Sequence, residues 1–359
     1  MKTRETLIKS SNFYYVFIII ALGCATKRDV AFVDTNSREV EEALSSKREF
    51  IKKYISKKNT PNKTNKKNHI IKKEVSSSFG SESSIGNHSP IVSNKKNKSF
   101  NKSYSEVFKD YDKTSKHAWN VFNPLIKDGE KFTFKVKYFG VTAGHIQMQT
   151  LPEAVINGSS VYHFKAKMRS ARYYSYFYTL DDSIDSYVSK NSFLPVKYIL
   201  MQRESAQKVD DLQLFDSNEL MTYHFYNRLK RGKTKEVELK KPIPQYFQDS
   251  FSALYFVRGL PLQIGDEYEF PIVTRGKIWI LKINVEGTES IELEGQKVNA
   301  IRLNAVTRFP GVLEKRGDIL FWYSNDKLKK LLKFEAQVKI GSVEGELVEY
   351  KSGKSPETL

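Results

Sequence analysis

The densest group of chemically able side chains in this sequence is Arg172-Tyr173-Tyr174-Ser175-Tyr176-Phe177-Tyr178. Aromatic faces carrying phenol handles suit an apolar or sugar-binding concavity, so Tyr173, Tyr174, Tyr176 and Tyr178 are candidate ligand contacts. The plainer reading is that these rings seal one end of a sheet. Just beyond them, Asp181, Asp182 and Asp185 form the densest carboxylate group. Two of them could share acid/base work or hold calcium. Calcium loops need more alternating oxygen donors and a glycine, so turn solvation and helix capping is the expected role. The six histidines are His69, His88, His117, His145, His163 and His224. They form no two-His helical pair and no Cys/His cluster with zinc spacing. His145 and His163 fall on polar faces of predicted strands, where solvated side chains are expected. No Gly-x-Ser-x-Gly elbow and no phosphate-cradling glycine loop occur. The reading is of a chain with no catalytic residue, no metal and no cofactor.

Cys24, the one cysteine in the chain, carries a different chemistry. Lys2, Arg4 and Lys9 form a positive leader, and Phe13–Leu22 is an apolar run. That run of about 10 residues falls short of the roughly 20 that a membrane-spanning helix needs. It ends in Ile20-Ala21-Leu22-Gly23-Cys24, which resembles the bacterial lipobox, where the thiol after cleavage carries diacylglycerol. Ala21 and Leu22 stand where the usual motif has Leu and a small residue. Lipidation at Cys24 is expected, against an ordinary signal peptide or an uncleaved anchor. A lone cysteine can make no intramolecular disulfide, so the fold does not rely on one. Two or more acyl chains would anchor the protein stably to a membrane. Ala25 rather than Asp follows the cysteine, which resembles an outer-membrane address.

Net charge is +18, but unevenly spread. Residues 1–24 hold about +2, residues 25–118 about +10, and the remainder about +6. The 25–118 stretch reads as a Lys/Asn/Ser-rich stalk with one possible helix at 37–58. Its composition buries too little apolar surface to offset backbone ordering, which costs about 1–2 kcal/mol per residue. A solvated spacer is expected, and the sharper, compatible reading is adhesion of its basic residues to an anionic envelope surface. Tyr104, Val107, Phe108 and Tyr111 suggest one or two helical turns. Nucleic acid is not an expected partner, because no basic strip interleaved with stacking aromatics sits in a reading module.

The elements that must position any site lie in 119–353. In Lys131–Tyr138, Phe132, Phe134, Val136 and Tyr138 alternate with Lys131, Thr133, Lys135 and Lys137, the period of a half-buried strand. The same beat predicts strands at 141–150, 162–169, 183–188, 196–203, 208–215, 220–226, 267–273, 276–285, 290–293, 297–308, 318–323, 330–338 and 343–350. Asn157-Gly158 is a hairpin signal and Gly144 a bulge signal. Asp249–Gly259 breaks the beat and predicts a short helix, capped by Asp249 or Ser250 and ended by Gly259. The fold class is all-β: a large curved antiparallel sheet, half-barrel or barrel-like, with one or two short helices and a tail at 354–359.

Several of these motifs resemble domain-of-unknown-function family 3108. They are Gly129-Glu130-Lys131-Phe132, the pair Ala143-Gly144, the Asp249–Arg258 helix with Asp-x-x-Ser-Ala-Leu-Tyr, the Trp322-Tyr323-Ser324-Asn325-Asp326 turn and the Ala336–Val343 hairpin. Lys329-Lys330-Leu331-Leu332 departs from the family's usual strand start. The resemblance spans about 127–353 and implies an exported bacterial protein, similar to a capsule-operon lipoprotein fold, with no established activity. The resulting expectation is a lipid-anchored, non-catalytic protein of the cell envelope, at the outer membrane facing the periplasm. Its β domain would bind an apolar or glycan-like ligand or a partner protein. The alternatives are a structural adaptor without a small ligand and, behind it, an enzyme acting on envelope polymers.

Overall fold

Alternating side chains make the strands, and the order in which those strands pair places a helix inside the sheet. The structure, a computed structural model, describes residues 105–176, 178–308, 315–338 and 341–354, all within one compact unit. The leader, Cys24 and the possible helix at 37–58 lie outside the described residues, as does most of the stalk.

Fourteen antiparallel strands form one sheet in the order β8-β7-β6-β5-β4-β3-β2-β1-β14-β13-β12-β11-β10-β9. From the start of the domain these are β1 (Lys131–Tyr138), β2 (Val141–Ile156), β3 (Ser159–Ser170) and β4 (Asp181–Ser189). Then come β5 (Pro195–Glu204), β6 (Gln207–Asp216), β7 (Met221–Lys230), β8 (Lys233–Pro242) and β9 (Glu267–Thr274). The last five are β10 (Lys277–Leu293), β11 (Gln296–Arg308), β12 (Lys315–Ser324), β13 (Leu331–Gln337) and β14 (Ser342–Lys351). Among the described residues three helices accompany them: α1 (Glu106–Val121), α2 (Arg172–Ser175) and α3 (Ser252–Arg258).

The first and last strands pair in the middle of the sheet, Phe132 opposite Tyr350. β8 and β9 are its two edges, so the sheet is open. They are joined through 243–266, and α3 lies on that crossover. A sheet this wide twists and curls. Here it curls far enough for one apolar core to take side chains from β1 to β6, β9 to β14, α1 and α3.

In β1 the burial alternates residue by residue, with Phe134 and Val136 fully enclosed. Asn157 and Gly158 both take positive φ, 52° and 79°, as the favoured two-residue hairpin turn requires. The β1–β2 register slips opposite Ala143-Gly144, which is the bulge. A Cβ on Gly144 would run into the Arg169 carbonyl of β3, so the strands approach this closely only over glycine.

Three elements differ from the sequence reading. α1 is 16 residues long and begins at Glu106, inside the segment read as stalk. Its buried stripe includes Ser115 and Ala118, small residues that hide the helical period ahead of Trp119. The sequence reading has no strand at β8, because ahead of its closing Pro242 only Val237 and Leu239 are apolar among many charges. Pairing with β7 holds it in place. The predicted strands at 276–285 and 290–293 are one strand, β10, whose register shift between Val285 and Gly287 looks like a break in sequence.

Candidate functional site

The concave side of the sheet is where a ligand would sit, and α3 occupies it. Six of its seven residues are buried. Asp249 organises its start: Oδ1 accepts from the backbone N of Phe251 and Ser252, both at 2.7 Å, and Oδ2 accepts from Ser186 Oγ at 2.5 Å. Burial pushes the Asp249 carboxyl up, and these hydrogen bonds work against that shift. Tyr255 stacks face to face on Phe164 of β3, centroids 3.8 Å apart. Phe256 packs between Trp119 of α1 and Phe122, at 4.3 and 4.5 Å.

Arg258 locks the other end. Its Nη1 and Nη2 donate to Glu130 Oε2 and Oε1, at 2.5 and 2.9 Å, and its Nε donates to the Leu328 carbonyl at 2.9 Å. Tyr350 OH donates to Glu130 Oε1 at 2.7 Å. The Glu130 side chain is 0% exposed and that of Arg258 4%. Leu328 is itself held by Asp326, whose Oδ1 accepts from Leu328 N and Ser324 Oγ. Tyr323 OH donates to the Leu254 carbonyl at 3.2 Å. The Gly129-Glu130, Asp249–Arg258 and Trp322–Asp326 motifs thus converge on one object, the clamp that fixes α3 in the sheet.

The free space left beside α3 is a cavity of about 40 Å³. Its walls come from β2, α3 and β10 to β13, and among them are Met148, Val257, Ile283 and Phe334. One or two waters would fit by size, but an apolar cavity of this kind stays dry. Sites for small molecules occupy about 300–1,000 Å³. A larger opening, about 370 Å³, is a groove on β5 to β8. By strand parity Ile199, Met201, Leu212 and Phe225 face away from the core there, with Asp210, Glu236 and Glu238 beside them.

The four candidate tyrosines are separated. Tyr173 and Tyr176 are exposed, Tyr174 packs against the core and Tyr178 is buried. Tyr178 OH donates to Glu204 Oε2. None of the four lines the cavity or the groove.

The aspartates do not solvate a turn; all three are on β4. Asp181 is exposed beside Arg169. Asp182 is buried on the core face, where its Oδ1 accepts from Arg203 N at 2.8 Å and its Oδ2 from Gln202 Nε2 at 3.4 Å. Desolvation first, and Glu204 second, push its carboxyl up to about 7. Burial alone would raise Asp185 too, but hydrogen bonds from His163 and Lys165, both at 2.7 Å, hold it below the usual carboxylate range. His163 is therefore half-buried and paired. Strand alternation gave the right face for it but could not show the cross-strand carboxylate. His145 is exposed. His224 is buried against Asp211, 2.9 Å away, and Asp211 also accepts from Arg275 Nε at 2.9 Å. Sequence offered no signal for that trio, since its members stand on three separate strands or turns. Among the described residues no group of three His, Cys, Asp or Glu side chains is placed to hold a metal ion.

An open antiparallel β-shell filled by a clamped helix is the class of protein that this geometry defines. The chain belongs to the DUF3108 family of proteins of unknown function, whose profile matches residues 133–348. No curated protein matches it. Among solved structures, a β-barrel-like DUF1849 protein from Brucella abortus is similar at 8% identity and a TM-score of 0.42, over 64% of this chain and all of that one. The Mycobacterium tuberculosis lipoprotein LppX is similar at 9% identity and a TM-score of 0.18, over 69% of this chain and 96% of that one.

Proposed function

We propose that the protein is a non-catalytic, lipid-anchored component of the bacterial cell envelope, attached through Cys24, whose β-shell docks a partner on its outer surface. The observation that carries this reading is the filled interior. A helix clamped by a buried ion pair leaves about 40 Å³, too little for an acyl chain or a sugar. The groove lined by exposed Met201 and half-buried Ile199, Leu212 and Phe225 offers partly exposed apolar surface instead. An outer-membrane position facing the periplasm fits Ala25 after Cys24. The basic residues of 25–104 would lie against anionic headgroups close to the anchor.

Replacing Cys24 with Ser tests the anchor. The variant is expected to lose palmitate labelling and to leave the membrane fraction for the soluble one. Labelling that persists in Cys24→Ser would remove the anchor from this function.

A further inference from the structure

Strands β7 and β8 meet at the turn Arg231-Gly232, and the segment around it reads Arg228-Leu229-Lys230-Arg231-Gly232-Lys233-Thr234-Lys235. It holds five cations and no acid. The register sets Arg228 opposite Lys235 and Lys230 opposite Lys233. Side chains two apart share a strand face, so these four cations stand on one face as two stacked like-charge pairs. Like charges directly opposed across a sheet destabilise it. The hairpin therefore keeps its shape against its own field, and an anion on this face would relieve it.

Two further observations bear on what that anion is. Lys233 and Lys235 are exposed, whereas Arg228 Nε is shielded from water and has no hydrogen-bond partner. A guanidinium with an unused donor suits a phosphate oxygen, which it can hold through two parallel hydrogen bonds. Glu204 acts electrostatically on Lys230, which leaves Arg228, Lys233 and Lys235 as the uncompensated part of the face. Two stacked cation pairs along a strand fit phosphates arrayed in a plane better than a single dissolved one, which would engage one cross-strand pair such as Arg228 and Lys235. The hairpin is also the outermost pair at one edge of the sheet, where it can meet a plane.

We infer that the β7–β8 hairpin is a membrane contact, its cationic face binding the phosphates of anionic phospholipid headgroups and so setting the orientation of the β-shell on the bilayer. This deepens the envelope reading and rests on it, but the contact needs no lipid on Cys24.

The test uses the full chain carrying Cys24→Ser, so that failure of lipidation and failure of the hairpin are separate results. Its partition is measured onto vesicles of phosphatidylcholine alone and onto vesicles with about a third phosphatidylglycerol. Each basic residue at an anionic surface contributes about fivefold in affinity. The combined variant Arg228→Gln, Lys230→Gln, Lys233→Gln and Lys235→Gln is expected to lose at least about tenfold on the anionic vesicles and nothing on the neutral ones. Its melting temperature is expected to hold or rise, because two opposed pairs are gone. A control with the same loss of charge, Lys208→Gln, Lys277→Gln, Lys297→Gln and Lys327→Gln, is expected to lose less than threefold. Equal losses in the two variants would overturn the proposal, as would unchanged partition of the hairpin variant. A hairpin variant that loses binding to RNA while keeping its vesicle partition would overturn it as well. Inorganic phosphate that abolishes vesicle binding at millimolar concentration would reassign the face to a soluble ligand.

Discussion

Glu130→Gln is expected to destabilise the domain by about 3–5 kcal/mol, the range for removing one partner of a buried ion pair. The substitution leaves the Arg258 guanidinium enclosed without its counter-charge. The Tyr350 hydroxyl keeps an acceptor, but a neutral one. Burial alone would lower the Arg258 pKa, and the hydrogen bond and charge of Glu130 reverse that and raise it. Arg258→Met is expected to cost a similar amount, because it strands the carboxylate. The double variant Glu130→Gln/Arg258→Met is expected to cost clearly less than the sum of the two singles, since neither charge is then left alone. Urea unfolding followed by tryptophan fluorescence reads all three. Trp119 packs on Phe256, two residues before Arg258 in α3, and so reports on the helix. Additive costs would mean that Glu130 and Arg258 act separately and that no clamp exists.

A loss of stability with rising pH is expected at Asp182. In the unfolded chain this side chain releases its proton near pH 4, whereas in the folded domain it holds it up to about pH 7. Between those values the folded state binds more protons, so stability falls as pH rises through the window and levels off above it. Ionised Asp182 then costs on the order of 2–4 kcal/mol at pH 8. Asp182→Asn keeps an oxygen for Arg203 N and has nothing to ionise. It is expected to match the wild type near pH 4 and to exceed it by that amount at pH 8. The Glu204 pKa is also raised, by burial first, and its contribution has the same sign. Equal stability of the two proteins at pH 8 would show that Asp182 is not held in a dry environment.

Much of this fold could be read from side-chain alternation, because a strand with one dry face announces itself in every second residue. Phe132, Phe134, Val136 and Tyr138 did so in β1, and Tyr162 to Met168 in β3. β8 stayed hidden for the same reason: its edge position leaves both faces wet, so Lys, Thr and Glu fill it and no period appears. α1 was foreshortened because its contact positions Ser115 and Ala118 are small, not greasy. The motifs at Gly129-Glu130, Asp249–Arg258 and Trp322–Asp326 stood out as words. Their joint meaning, two segments far apart in sequence gripping the helix that the third one forms, is a property of the closed geometry. Asp182 and Asp185 illustrate the same limit. They are three residues apart on one strand, and parity puts them on opposite faces, one buried and ready to stay protonated, the other paired with His163 and Lys165.

The central claim is that α3 fills the sheet and leaves the interior closed to ligands. Native mass spectrometry of the full protein, extracted from bacterial membranes in mild detergent, addresses it directly. With Arg228, Lys230, Lys233 and Lys235 replaced by Gln, so that no headgroup is held on the hairpin, the predicted mass is that of the polypeptide with its covalent acyl chains and nothing else. A lipid or glycan bound non-covalently to that variant, one per chain and retained when Cys24→Ser is added, would contradict it.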